Sequence, residues 1–122
     1  MITIHQIRID NRMVDAFNTV HGAPGAIPAI DARRRMSMGA SEWSPEYMKF
    51  YAPMYEVDTD DLDEAFEWTN LWNAEDRVNR LNPGSSSSVG DLFEKDGVFY
   101  IVDDFGFKEI ASRNVTVSCN LT

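Results

Sequence analysis

Seven carboxylates crowd one stretch of this chain: Glu56, Asp58, Asp60, Asp61, Asp63, Glu64 and Glu67. Such a group can hold a divalent cation through hard oxygen ligands, but the EF-hand order, with its glycine and closing glutamate, is missing. It can present fixed negative charge to a basic partner, even standing in for nucleic-acid phosphates. Or it can be a solvated helix face whose first turns favour anions, and this reading needs no partner at all. In a partner-binding role, the acids to expect are Asp58, Asp60, Asp61, Glu64 and Glu67.

Arg33-Arg34-Arg35 is the only basic cluster. Beside Met36 and Met38, the residues Arg33, Arg34 and Trp43 could form a partner contact, because Arg, Met and Trp are favoured at interfaces. More often such a run is simply exposed charge. The hydroxyls of Ser85 to Ser88, ahead of Val89-Gly90-Asp91, invite comparison with a phosphate-cradling loop. A P-loop needs spaced glycines and a Lys-Ser/Thr pair opening a helix. Here one glycine leads into a strand and no lysine follows directly, so a structural role is favoured. Gly90 would supply an unusual backbone angle, and Asp91 would hydrogen-bond local amides.

The only histidines, His5 and His21, belong to no metal-ligand spacing, so zinc is not expected. Cys119 has no histidine partner by sequence and reads as a small buried hydrophobe. Serine-nucleophile signatures are absent. No catalytic constellation, cofactor or metal is therefore expected. Asn114-Val115-Thr116 and Asn120-Leu121-Thr122 match glycosylation acceptors. The segment Met-Ile-Thr-Ile-His-Gln has no signal-peptide layout, so these matches read as coincidence.

The elements that must carry these residues follow from periodicity. Ile2, Ile4, Ile7 and Ile9 predict a strand over about residues 2–9, with a slipped period that suggests a bulge. Asp10 or Asn11 can cap a helix bearing Met13, Val14, Phe17 and Val20, with Gly22 ending it. Gly22 to Pro28 is a loop by its breakers. Residues 29–38 are compatible with a short helix, with Ile30, Arg34 and Met38 on one side. Ser44-Pro45-Glu46 opens a helix that Pro53 breaks, and Met54 to Val57 reads as a strand. A helix from Thr59 or Asp60 places Leu62, Ala65, Phe66 and Thr69 on one face. Trp68 and Trp72 then share another side, which needs a second cover, from the 26–38 segment or from a second protomer. A third helix is expected at about 74–81 with Val78 and Leu81 inward. Asp96-Gly97 between apolar runs is a strong hairpin signal, because a type I′ turn needs positive φ at both central residues. Val98 to Val102, apolar on both faces, reads as an internal strand. Asn114 to Leu121 alternates well enough for a last strand.

The 122 residues fit one domain, 1–122. A hydrophobic fraction of 43% and one cysteine make a core without disulfides. No stretch is long and apolar enough for a membrane span. The net charge of −9 disfavours nucleic acid and anionic lipid and suits a basic partner. A cytoplasmic location is the default. The expected architecture is a single small α+β domain, a mostly antiparallel sheet with helices packed on one face.

The segments also stack in an order that resembles a known group. Ser44-Pro45-Glu46-Tyr47 comes first, then Tyr55-Glu56-Val57-Asp58 with Asp61 to Asn70, then Ser86 to Asp91, then Phe99 to Phe107. This resembles small, functionally uncharacterised phage and mobile-element proteins typified by Ser-x-Ser-Val-Gly-Asp followed by Phe-Gly-Phe. The likeness spans roughly residues 44–110, and the residues after Ile110 extend beyond the usual end of the group. It implies an accessory protein acting in a host cell, and it brings no activity and no site residues. The favoured function is non-catalytic binding of a host protein. The alternative is a nucleic-acid module, because Val89-Gly90-Asp91 with Asp96-Gly97 is also similar to small barrels of the PUA or SH3 kind. That likeness is at fold level only, and the acidic balance counts against it. An enzyme of unknown class ranks third.

Overall fold

The computed structural model describes residues 1–21, 26–71 and 75–112. The expected strand at 114–121, Cys119, both glycosylation matches, Gly22 and Trp72 lie outside them. Six strands form one antiparallel sheet: β1 (Ile2–Ile7), β2 (Tyr51–Val57), β3 (Val78–Arg80), β4 (Leu92–Lys95), β5 (Val98–Asp103) and β6 (Gly106–Ser112). Their spatial order is β3-β2-β1-β4-β5-β6, an open sheet with β3 and β6 at its edges. Three helices accompany it: α1 (Asn11–Thr19), α2 (Pro28–Met36) and α3 (Leu62–Leu71).

The sheet is covered on both faces. Ile2 lies opposite Val57, Ile4 opposite Tyr55 and Phe93, and Val102 opposite Phe107, so these side chains share one face. That face packs against Ala65, Leu62 and Phe66 of α3. The alternate residues Ile7, Leu92, Phe99 and Ile101 form a second cluster with Ala29, Ala32 and Met36 of α2, joined by Trp43, Tyr47 and Tyr51. The α+β class and the antiparallel sheet are as the sequence predicts. The helices are not confined to one face, because β1, β4 and β5 are central strands with apolar residues on both sides.

This explains the slipped period of β1. Its own alternation is unbroken; Ile7 simply faces the second cluster. The extra residue sits in β2, where Tyr55 faces Ile4 and Pro53 faces His5, leaving Met54 as a bulge. Met54 turns its carbonyl to the Leu81 amide at 2.8 Å. Pro53 lies inside β2 rather than ending a helix. There β2 lacks a β3 partner, since β3 pairs only with Tyr55 to Val57, the edge condition proline requires.

Asp10 caps α1 through its Oδ1, which accepts from the Met13 amide at 2.9 Å. No residue of α1 is buried. Met13 and Phe17 are half-buried, and Val14 is exposed. The Arg34 guanidinium covers the Phe17 ring at 5.0 Å. In α2 the buried positions are Ala29, Ala32 and Met36, while on the side that carries Ile30, Arg34 and Met38 the first is half-buried and the other two are exposed. Pro45–Phe50 forms a 3₁₀ segment rather than an α-helix, and Ser44 makes no side-chain cap. The helix expected at 74–81 is instead a 3₁₀ turn, Glu75–Arg77, followed by β3, with Leu81 exposed. In α3, Ala65 and Thr69 are buried and Phe66 is half-buried against Phe93 and Phe107. The β4–β5 hairpin turns at Asp96 (φ 52°) and Gly97 (φ 78°), the two positive angles of the expected turn.

Candidate functional site

The acidic run divides by job. Asp61 is the α3 N-cap, its Oδ1 accepting from the Glu64 amide at 3.2 Å. Glu64 in turn accepts from the Thr59 hydroxyl at 2.7 Å, so both residues hold the start of the helix. Asp58 pairs with Arg77 at 3.1 Å. Asp60 pairs with the Met1 ammonium, which holds its carboxyl below the usual range. Asp63 and Glu67 are exposed, one turn apart on α3, and make no hydrogen bond or ion pair among the described residues. Lys95 of β4 lies beside Asp60, Asp61 and Asp63 on this surface.

The arginine cluster is also split. Arg33, Arg34 and Arg35 occupy the last turn of α2, where cations complement the helix dipole. Arg34 covers Phe17. Trp43 is half-buried and meets Tyr47 and Tyr51 edge-on, with ring centroids 6.5 and 6.0 Å away. It belongs to the second core cluster. Arg34 is thus engaged with α1 and Trp43 with the core, and Arg33 lines a different site.

That site is a cleft of about 480 Å³ where three segments meet: the end of β1 with Arg8, the end of α2 with Arg33 and Met36, and the 83–91 loop. Asp91 lies in its wall, only 8% exposed. Its Oδ2 accepts from Gln6 Nε2 at 2.9 Å and from the Ser88 amide at 3.0 Å. Gln6 also donates to the Ser85 carbonyl at 2.9 Å and accepts from the Ser85 amide at 3.1 Å. Tyr55 OH donates to the same carbonyl at 2.9 Å. One buried amide and one carboxylate thus fix the serine loop. Ser87 is buried beneath it against Thr69.

Two consequences follow for chemistry. Two amides of the serine loop, those of Ser85 and Ser88, are already taken, so the loop is a braced connection and not a phosphate cradle. And no buried side-chain polar atom among the described residues lacks a hydrogen-bond partner. Asp91 Oδ1 takes no hydrogen bond there, so it is not fully buried. Burial pushes the Asp91 carboxyl up to about 7, against the pull of Gln6, Ser88 and the Arg33 charge. Burial and the Asp91 charge also push the neighbouring Tyr51 phenol upward; its OH donates to the Gly90 carbonyl.

Gly90 bears the angle foreseen for it, φ 94°. A Cβ there would stand 2.6 Å from the Met36 carbonyl oxygen, so α2 and the loop touch backbone to backbone. Asp91 bonding a local amide is likewise legible in sequence. Gln6 is not: a glutamine within an apolar strand carries no signal that it faces a loop 79 residues later. Arg8, a lone cation after a strand, carries no such signal either.

His5 Nε2 lies 3.0 Å from Glu94 Oε1, across the β1–β4 ladder. His21 takes the positive φ of 55° beyond α1. Among the described residues no three His, Cys, Asp or Glu side chains are grouped to hold a metal, and no helix is long and apolar enough to cross a membrane. The β5–β6 turn exposes Phe105 completely, beside the acids Asp103 and Asp104 rather than a basic groove. The sheet is open, so it is not the small barrel that the nucleic-acid alternative was likened to. No family model matches the chain, and neither a curated protein nor a solved structure is similar to it.

Proposed function

We propose that this protein acts without catalysis, by binding a partner with a basic surface through the acidic face at the start of α3. The observation that carries this reading is the Asp63–Glu67 pair. Asp61 and Glu64 have work in the helix cap, and Asp58 and Asp60 each hold a cation. Asp63 and Glu67 have neither, although like charges four residues apart cost a helix about 0.2–0.5 kcal/mol. Glu67 also lies beyond the first turn, where the dipole no longer favours an anion. A net charge of −9 adds a long-range field that speeds encounter with a basic surface. The resemblance to phage and mobile-element proteins makes a host protein the expected partner, and imitation of nucleic-acid phosphates is one form such binding could take.

The test is affinity capture from host lysate with quantitative mass spectrometry, using the wild-type chain and a double variant, Asp63→Lys with Glu67→Lys. This choice spares the cap residues. The reading expects a protein enriched by the wild type and lost with the variant. Equal enrichment by both baits would remove the acidic face from the account.

A further inference from the structure

We propose that two copies of this chain pair through the β5–β6 turn and the end of α2, with Phe105 of each copy seated on Met38 of the other and Asp104 of each facing Arg35 of the other. Phe105 is completely exposed and Met38 is 70% exposed. Phe105 stands in the two-residue turn between Asp103 and Gly106, which close the β5–β6 ladder. Such turns favour Gly, Asn, Asp or Ser, and a side chain that buries nothing adds no hydrophobic stability. Neither the turn nor the core therefore accounts for a phenylalanine there. A single exposed apolar residue is ordinary on a protein surface; here two large ones are held on neighbouring segments.

Asp103 holds the two segments together. Its Oδ1 accepts from the Ala40 amide at 3.0 Å and from the Asp104 amide at 2.9 Å. The first bond joins the hairpin tip to the chain just beyond Met38. The approach is closest at Gly39, where a Cβ would stand 3.0 Å from Asp103 Oδ1 and 3.8 Å from Asp104 Oδ2. On the α2 side the Met38 amide donates to the Arg35 carbonyl at 3.0 Å, so Arg35 and Met38 share the last turn. Arg35 and Asp104 are both exposed, and among the described residues neither makes an ion pair. The surface thus offers one aromatic ring, one thioether, one cation and one anion. A two-fold axis sets each against its complement, because every contact across such an axis is made twice. Sulfur against an aromatic ring is a favourable contact, and Phe, Met and Arg are enriched at interfaces. The tip is already tied down in the single chain, so pairing has little left to order. The contact is small, which places it among weak associations. It shares no residue with the acidic face of α3.

The experiment is sedimentation equilibrium of the purified full chain in about 0.15 M salt, where repulsion between two chains of charge −9 is screened beyond ~8 Å. The wild type should dimerise with a Kd below ~1 mM. Phe105→Ser and Met38→Ser should each weaken the dimer by about ten-fold or more, because each removes two apolar contacts. Neither side chain belongs to the core, so the urea unfolding midpoint should stay in place. Arg35→Glu and Asp104→Arg should each weaken the dimer by about five-fold or more, since each sets like charges together at two places. The two combined restore opposite charges across the axis and should return the Kd toward the wild-type value. A chain that stays monomeric at every concentration up to ~1 mM would overturn the proposal. So would a Phe105→Ser variant that pairs like the wild type, because another face would then join the copies, or a double variant no tighter than the single charge reversals.

Discussion

Gln6 and Asp91 stand 85 positions apart, and Gln6 Nε2 donates to Asp91 Oδ2 at 2.9 Å inside the protein. This contact ties a central strand to the loop that feeds β4. Gln6 also bonds both backbone groups of Ser85 and the Ser86 carbonyl, so one side chain ties down three residues of the loop.

Gln6→Leu keeps the size of the side chain and removes all four of its hydrogen bonds. It should destabilise the fold by about 1–3 kcal/mol, the scale of losing hydrogen bonds of which one is to a carboxylate. A urea unfolding curve reads this directly as a lower midpoint with unchanged slope. An unmoved midpoint would mean that water replaces Gln6 without loss.

Asp91 makes stability depend on pH with a definite sign. Its folded pKa is raised by burial from 3.8 to about 7. The folded chain therefore keeps a proton that the unfolded chain has lost, between about pH 4 and pH 7. Its contribution is full below about pH 4 and is lost as pH rises through 7, a change on the order of 3 kcal/mol. Asp91→Asn removes that term. The variant should gain on the wild type as pH goes from 4 to 8, measured as the difference between their unfolding free energies. Parallel pH profiles would show that Asp91 titrates in its ordinary range.

Two glycines with positive φ separate conformational strain from close packing. Nothing lies within 4 Å of a Cβ built at Gly97, whereas one at Gly90 meets the Met36 carbonyl carbon and oxygen at 2.8 and 2.6 Å. Gly97→Ala should cost about 1 kcal/mol, through the backbone angle alone. Gly90→Ala must also push α2 away, and its loss should exceed that of Gly97→Ala by about 1–3 kcal/mol. Thermal unfolding of the two variants side by side would expose an equal loss, which would deny the α2–loop contact.

The hairpin, α3 and the role of Gly90 with Asp91 were legible because each rests on local rules. Asp96-Gly97 satisfies turn geometry within four residues, and Leu62, Ala65 and Thr69 repeat at helical spacing. The errors share a different cause. Pro53 reads as a breaker until β3 is seen to end before it, and Val78 reads as helical until it pairs with Val57. Both depend on which strand lies alongside. The cleft was invisible for the same reason. Gln6, Arg8, Arg33 and Asp91 come from three separate segments that only the sheet order brings together.

The acidic face is the central claim, and the association rate of the captured partner tests it most directly. Attraction between exposed charges is screened over a Debye length of ~8 Å at physiological salt. The wild-type rate constant should therefore fall steeply as salt rises, while dissociation changes little. With Asp63→Lys and Glu67→Lys the rate at low salt should drop by about ten-fold or more and its salt dependence should flatten, with the unfolding midpoint of the chain preserved. Stopped-flow measurements at several salt concentrations give both numbers. A variant that associates at the wild-type rate, with the same salt dependence, would contradict the claim.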